Sequence, residues 1–347
     1  IPLHSSHISF MRRCLALAQN ARGNTYPNPM VGAVFVRNGS IIGEGWHHKA
    51  GEPHAEVHAL KNVKPADLAQ GTLYVNLEPC AHTGKTPPCC NLIISKGVKR
   101  VVVGAIDPNP KTAGKGIKAM EDAGIEVIRG VLEDDCKELN KRFYCYHNNK
   151  RPYIILKWAQ SADGFMAPKD GVEGSVFWIS DTHSQQLVHQ WRSEEHAILI
   201  GRNTVELDNP QLTTRKWKGK NPIRLIIDPN NAISKDAAVL NSESKTVLFN
   251  YSKRLKEKNL VWEVVDEKET LQSILEKCHG MKIQSVLVEG GQRTLSTFLD
   301  ENIWDECRII TATKTLVKGL EAPKKPRGIT VEKKIVRDGL QIIYPKR

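Results

Sequence analysis

Gly51-Glu52-Pro53-His54-Ala55-Glu56-Val57-His58-Ala59-Leu60 is the stretch whose reading decides the fold of the first half of this chain. Proline suits a first helical turn, so Pro53 predicts a helix that starts at His54 with Glu56 just inside. A strand-like run, Thr72–Leu77, then leads into Glu78-Pro79-Cys80, and Pro87-Pro88 opens a further helix at Cys89. Helix N-termini carry unpaired N–H groups and a positive dipole end, which favour thiolate over thiol. His54, Cys80 and Cys89 therefore make one imidazole and two thiolate ligands for a tetrahedral Zn²⁺. The open fourth position marks a catalytic rather than a structural ion.

Glu56, two residues from a ligand, can reach water at that open position and move its proton. The order H-x-E, then P-C, resembles the zinc deaminases of nucleobases, in which this Glu shuttles protons and is not a ligand. Their second half reads P-C-x-x-C, whereas here eight residues separate Cys80 from Cys89. Cys90 is a competing third ligand on spacing. His82, inside the longer loop, either ligates or lines the substrate pocket. His58, one turn after His54, belongs to a helix face or the core.

Outward from this site the pattern is α/β. Helices are expected at 8–22, from Pro53, from Pro87, at 115–123 and at 131–146. Strands are expected at 31–36, 41–46, 72–77, 101–105 and 125–129. Asn38-Gly39 signals a hairpin. Phe10, Cys14, Leu17, Ala18 and Ala21 share one helical face, so the basic-then-apolar start reads as a helix and not as a signal peptide. Asn148-Asn149-Lys150-Arg151-Pro152 reads as a linker, giving domains at 1–147 and 148–347. The second half has strands at 153–158, 196–200, 223–228, 245–249, 285–289 and 309–312, with helices at 182–193, 268–278 and 293–300. The run Ser252–Lys258 is expected to be an exposed helix face. Residues 321–328 read as a surface loop before a last strand or two.

The chain has 347 residues, 40% of them hydrophobic and 25% charged, as in ordinary globular proteins, and no run approaches a membrane span. Its eight cysteines suit metal ligation and core packing more than disulfides, which points to the cytoplasm. The net charge of +12 is spread along the chain, favouring phosphorylated small molecules over nucleic acid. No G-x-G-x-x-G follows a strand, but Glu289-Gly290-Gly291 ends one and opens a helix with Thr294 in its first turn. Glycines let backbone approach a pyrophosphate, and the helix start supplies N–H donors.

With its long loop the chain resembles the bifunctional riboflavin-biosynthesis deaminase/reductases. The resemblance is carried by Tyr26-Pro27-Asn28-Pro29-Met30-Val31-Gly32-Ala33, by residues 51–60 and by Leu77 through Cys90. In the second half it is carried by Leu156-Lys157, Ser161-Ala162-Asp163-Gly164, Gly201-Arg202-Asn203-Thr204-Val205, Asp208-Asn209-Pro210 and Val288-Glu289-Gly290-Gly291. It implies a cytidine-deaminase-like three-layer α/β/α domain followed by a dihydrofolate-reductase-like α/β domain. The first would remove the 2-amino group of 2,5-diamino-6-ribosylamino-4(3H)-pyrimidinone 5′-phosphate. The second would reduce the ribosyl chain to ribityl with NADPH. By position, the resemblance gives zinc to His54, Cys80 and Cys89, choosing Cys89 over Cys90, and makes Glu56 the proton donor. It gives the pyrimidine phosphate to Asn28, His47 and Lys85. NADPH falls on Gln160, Trp178, Thr204, Asp208, Gly291, Gln292, Arg293, Thr294, Leu295, Ser296 and Thr297. The reductase substrate falls on Arg192, Leu212, Arg215 and Glu289. Guanidinium groups suit phosphate oxygens, which fits the two arginines. Val176 and Pro229 stand where serines are common. Asp163 has a turn-shaping role and no catalytic one. A homo-oligomer, dimer or tetramer, is implied.

Two other readings compete. A tRNA or single-stranded DNA base deaminase would use the basic balance for phosphate contacts, but predicts P-C-x-x-C and a single small domain. A zinc-stabilised binding module would need a fourth protein ligand and leaves Glu56 without a task.

Overall fold

Strand residues alternate between two faces, and in the central strands of the first half of this chain both faces are buried. The computed structural model describes residues 2–82, 87–169 and 177–346, with side chains from residue 6 onward. The chain divides into two units, Ile1–Asn149 and Lys150–Arg347. The first contains α1 (Pro2–Gln19), β1 (Gly32–Arg37), β2 (Ser40–Trp46), α2 (Ala55–Leu60), α3 (Pro65–Leu68) and β3 (Thr72–Leu77). It continues with α4 (Cys89–Ser95), β4 (Arg100–Ala105), α5 (Lys115–Asp122), β5 (Glu126–Arg129), α6 (Glu133–Leu139) and α7 (Lys141–Asn149).

The sheet order is β2-β1-β3-β4-β5. β1 runs antiparallel to β2 and β3, and β3, β4 and β5 are parallel. Phe35, Leu73, Val75, Val101 and Val103 face one way and pack on Ala59 of α2, Ile93 of α4 and Ile117 and Met120 of α5. Val34, Val36, Tyr74 and Val102 face the other way, onto Met11, Cys14 and Leu17 of α1 and Cys136 of α6. The result is three layers, α/β/α. A Cβ on Gly32 would lie 2.1 Å from the Cys14 carbonyl oxygen, so only glycine lets α1 sit this close to β1.

The second unit contains β6 (Tyr153–Gln160), β7 (Phe165–Pro168), α8 (Thr182–Glu194), β8 (Ala197–Gly201), α9 (Arg202–Asp208), β9 (Ile223–Ile227), β10 (Thr246–Asn250) and β11 (Leu255–Glu257). It continues with β12 (Leu260–Val264), α10 (Thr270–Gly280), β13 (Ser285–Val288), α11 (Gln292–Asp300), β14 (Glu306–Thr311), β15 (Gly319–Glu321), β16 (Ile329–Ile335) and β17 (Asp338–Tyr344). Ten strands form one sheet in the order β11-β12-β10-β9-β8-β13-β6-β14-β17-β16. From β12 to β14 they run parallel. Ile154, Leu156, Leu199, Leu225, Val247, Val286 and Val288 are buried against Ile274 and Cys278 of α10 and Leu295 and Phe298 of α11.

Three expectations need correction. Ser252–Lys258 is not a helix: β11 pairs antiparallel with β12, which is itself held parallel to β10. The expected helix over 131–146 is interrupted at Asn140, where the backbone turns out of helical geometry at φ −103° and ψ 22°, and so divides into α6 and α7. α7 also runs through Asn148 and Asn149, so the expected linker at 148–152 begins only after them.

Candidate active sites

His54 sits at the N-cap of α2 in extended conformation, so its ring leaves the helix axis and meets the two cysteines. The ligand atoms of His54, Cys80 and Cys89 all lie within 4.8 Å of one another. His54 Nδ1 is 3.3 Å from Cys89 Sγ and 3.6 Å from Cys80 Sγ. The Cys89 N–H, in the first turn of α4, donates to Cys80 Sγ at 3.3 Å. Cys80 is pushed down to about 4 by its hydrogen bonds from Cys89 and His54, while the same pairing and burial push Cys89 up. A second thiolate beside the first is disfavoured unless a cation lies between them. A buried trio of one nitrogen and two sulfurs fits Zn²⁺. Cys90 packs in the core beneath α2 and takes no part in the trio.

Glu56 is 3% exposed, and its Oε2 is buried without a hydrogen-bond partner. Burial lifts its carboxyl above the usual range, against the pull of His54. A buried carboxyl with an unused oxygen beside a metal-ligand trio can hold and release a proton there.

The His47 ring lies 5.1 Å from that of His54. Its Nδ1 is 3.1 Å from the Pro53 carbonyl oxygen, so Nδ1 carries the proton and Nε2 accepts from Asn28 Nδ2, also at 3.1 Å. Asn28 in turn rides on a clamped loop. Asn140 brackets Met30, accepting from its N–H and donating to its carbonyl, and Asn76 donates to the same carbonyl while accepting from Gly32 N–H. Lys85 lies outside the described residues, as does Val176. His82 leaves the trio and pairs with Thr112 Oγ1 at 3.2 Å. His58 stacks on His48 with ring centroids 4.6 Å apart.

In the second unit, two strand ends and two helix starts meet. Gly201 ends β8 and caps α9; Gly291 follows β13 and caps α11. The Gly291 N–H donates to Thr204 Oγ1 at 2.9 Å. A Cβ on Gly201 would lie 2.8 Å from Thr294 Oγ1, and one on Gly290 would lie 3.2 Å from Gly201 N and Ile200 Cα. Glycine backbone, two hydroxyls and two helix starts make a cradle that fits the phosphates of a dinucleotide. Gln292, Ser296 and Thr297 lie along α11, and Arg293 is exposed. Leu295 is buried in the core, leaving only its backbone for a ligand. Gln160 accepts from the Trp158 indole, Trp178 is exposed beneath Lys216, and Asp208 is exposed at the end of α9.

Beside the cradle, Glu289 accepts from Arg192 Nε at 3.0 Å and Nη2 at 2.8 Å, with Lys157 Nζ 3.6 Å away. Burial pushes this carboxyl up, but Arg192 and Lys157 prevail and hold it at about 2. Arg192 also donates to the Thr213 carbonyl. Arg215 is exposed, and what burial it has, together with the nearby Arg192, lowers it. The pair helps burial push His189 down to about 4, which marks the pocket as electropositive. Leu212 is buried with a φ of +55°, so any ligand there meets its backbone. Asp163 accepts from Ser161 Oγ and from the Leu316 and Val317 N–H groups, a turn-holding role.

Sequence reasoning gave no role to Lys157, Asn76, Asn140 or Glu78. Only Lys157 left a signal, a lysine in a strand otherwise made of core residues. The partners of the others lie dozens of residues away.

Residues 4–105 match the family model of the cytidine and deoxycytidylate deaminase zinc-binding region, and residues 152–324 that of the RibD C-terminal domain. The riboflavin biosynthesis protein RibD of Aquifex aeolicus is 44% identical over 320 residues, 90% of this chain and 88% of that protein. The Escherichia coli protein of the same name is 36% identical over 336 residues, 88% of each. The solved structure of the Thermotoga maritima diaminohydroxyphosphoribosylaminopyrimidine deaminase/5-amino-6-(5-phosphoribosylamino)uracil reductase superposes with a TM-score of 0.88 at 37% identity, over 99% of both chains. Acinetobacter baumannii RibD superposes with 0.91 at 32% identity, over 99% of this chain and 100% of that one.

Proposed function

This chain belongs to the RibD family of riboflavin-biosynthesis proteins, and from that premise we propose which of its side chains carry each of the two reactions. It is a bifunctional enzyme, a zinc-dependent pyrimidine deaminase and an NADPH-dependent reductase. Deamination is assigned to residues 1–147 and reduction to residues 148–347. The first substrate is 2,5-diamino-6-ribosylamino-4(3H)-pyrimidinone 5′-phosphate. Its deaminated product is then reduced from ribosyl to ribityl.

His54, Cys80 and Cys89 hold Zn²⁺. The bound ion supplies Lewis acidity that makes water nucleophilic near neutral pH. With the ion bound, Glu56 would take a proton from the attacking water, pass it to the ring nitrogen and assist the departure of ammonia. Its buried, raised carboxyl suits a group that must carry a proton both ways. His47 and Asn28 line the pyrimidine, fixed in tautomer and position by Pro53 and the Met30 clamp. Lys85 takes the phosphate.

In the reductase, Thr204, Gly291 to Thr297, Gln160, Trp178 and Asp208 hold NADPH, which supplies the hydride. Arg215 meets the substrate phosphate. Arg192 adds the N–H groups that Glu289 and Thr213 leave over, and Leu212 and Glu289 complete the substrate contacts. Hydride transfer rests on positioning, and no catalytic acid is assigned.

No helix among the described residues is long and apolar enough to cross a membrane. A cytoplasmic location is supported by a site that needs two reduced thiols. A dimer or tetramer is supported by the edge strand β16, where Ile329 and Val331 are exposed. The nucleic-acid deaminase reading is set aside, since a reductase family match occupies 152–324. The observation that carries the assignment is the unpartnered Glu56 oxygen beside the ligand trio. Its test is Glu56→Gln: zinc content unchanged, ammonia release abolished, and NADPH oxidation on deaminated substrate intact. Ammonia release near the wild-type rate would refute it.

A further inference from the structure

Glu78 is 3% exposed, and both its oxygens point away from solvent into backbone. Oε1 accepts from Gly116 N at 2.9 Å and Ile117 N at 3.2 Å; Oε2 accepts from Gly114 N at 2.9 Å and Asp107 N at 3.3 Å. Four backbone donors thus converge on one carboxylate. α5 has Gly114 at its N-cap, no side-chain cap of its own and no acidic residue in its first turn. Its orphan N–H groups are instead satisfied by a residue 36 positions upstream of that cap.

This joint sits directly before the second ligand. The Glu78 N–H continues the β3–β4 ladder by donating to Ala105 O, and the chain then leaves the sheet as Pro79-Cys80. α5 is drawn so close that a Cβ on Gly116 would stand 2.0 Å from the Pro79 carbonyl oxygen. From the other side, α4 holds Cys80 through Cys90 N–H to Cys80 O at 3.2 Å and Cys89 N–H to Cys80 Sγ. Cys80 is therefore gripped between two helix starts, one of them fastened by Glu78. The segment that Glu78 draws in also carries buried Thr112, the partner of His82.

We infer that Glu78 is a positioning residue for the metal centre: its carboxylate fastens the start of α5 against Pro79 and so fixes where Cys80 presents its sulfur. This rests on reading His54, Cys80 and Cys89 as the zinc ligands. Glu78→Gln keeps the shape but replaces one acceptor oxygen by an N–H₂ that faces backbone donors. Residues that orient metal ligands typically change metal affinity by about 10–100-fold when altered.

The experiment uses the full chain, zinc-loaded and cobalt-substituted. Zinc release to a chromogenic chelator and the thiolate-to-cobalt absorption bands are compared for wild type, Glu78→Gln and Glu78→Asp. NADPH oxidation on deaminated substrate is measured in parallel. The inference expects Glu78→Gln to release zinc about 10–100-fold faster with shifted bands, and to keep wild-type reduction. Glu78→Asp, which keeps the charge, falls between. Wild-type release and bands in Glu78→Gln would overturn it, as would parallel loss of reduction in both variants, which would mean a role in the fold at large. If wild type shows no thiolate bands, or Cys80→Ser leaves them intact, the ligand assignment falls and this inference with it.

Discussion

Replacing Glu289 by glutamine removes an anion held between two largely buried cations. The carboxylate is 8% exposed, Arg192 12% and Lys157 13%. Water therefore screens the group poorly. Relative to an ordinary value of 4.5, the carboxyl is held at about 2 by Arg192 and Lys157, against burial. Holding the carboxyl at about 2 and not 4.5 corresponds to roughly 3 kcal/mol of native-state stabilisation at neutral pH. That agrees with the cost of about 3–5 kcal/mol for removing one partner of a buried ion pair. Because the folded value lies below the unfolded one, the contribution is complete above about pH 4.5 and fades as the pH falls towards 2. Six of the seven tryptophans, Trp158, Trp178, Trp191, Trp217, Trp262 and Trp304, lie in the second unit, so their fluorescence reports its unfolding. Urea unfolding at pH 7 should show Glu289→Gln destabilised by about 3 kcal/mol, with the gap closing as acid is added. A loss below about 1 kcal/mol at pH 7, or a gap independent of pH, would refute the reasoning.

Arg215→Ala removes a charge-assisted phosphate contact and should raise the KM of reduction about 10–100-fold, with the KM of deamination unmoved; equal shifts in both would remove Arg215 from the reductase pocket. Gly290→Ala pushes a methyl group against Gly201 and Thr294, and NADPH titration by fluorescence quenching should show at least about tenfold weaker binding; undiminished affinity would place the cofactor phosphates elsewhere. His196, lowered to about 4 by burial with Lys245 and Lys220 nearby, accepts from the Gln284 N–H and must stay neutral to do so. Between about pH 6.5 and 4 the unfolded chain takes up a proton that the native ring refuses, so up to roughly 3 kcal/mol of stability is lost on acidification. His196→Asn should flatten that slope in unfolding measurements, and an unchanged slope would contradict it.

The metal trio was legible because each ligand is announced locally, by Pro53, by Pro79 after a strand and by Pro87-Pro88. The choice between Cys89 and Cys90 was not legible from spacing, since adjacent residues at a helix start differ by about 100° in direction, and only packing decides which one enters the core. The α1 face was legible because Cys14, Leu17 and Ala18 follow helical period and are buried, with Phe10 packed beside them; Ala21 is buried too, but beyond the helix end at Gln19. The clamp that Asn140 puts on Met30 joins residues 110 positions apart, which no window along the chain can reveal. Ser252–Lys258 misled because a lone leucine among lysines fits either period, and β11 exists only through its pairing with β12. Glu78 lies beside a conspicuous motif, yet its partners are backbone groups in Asp107–Ile117, which carry no side-chain signature.

The most direct test supplies the zinc-loaded enzyme with 2,5-diamino-6-ribosylamino-4(3H)-pyrimidinone 5′-phosphate, follows ammonia, then adds NADPH and follows its absorbance. The account predicts ammonia first and NADPH oxidation only on the deaminated product, with metal removal abolishing the first step alone. Zinc bound without ammonia release, or NADPH oxidised at full rate before deamination, would contradict it.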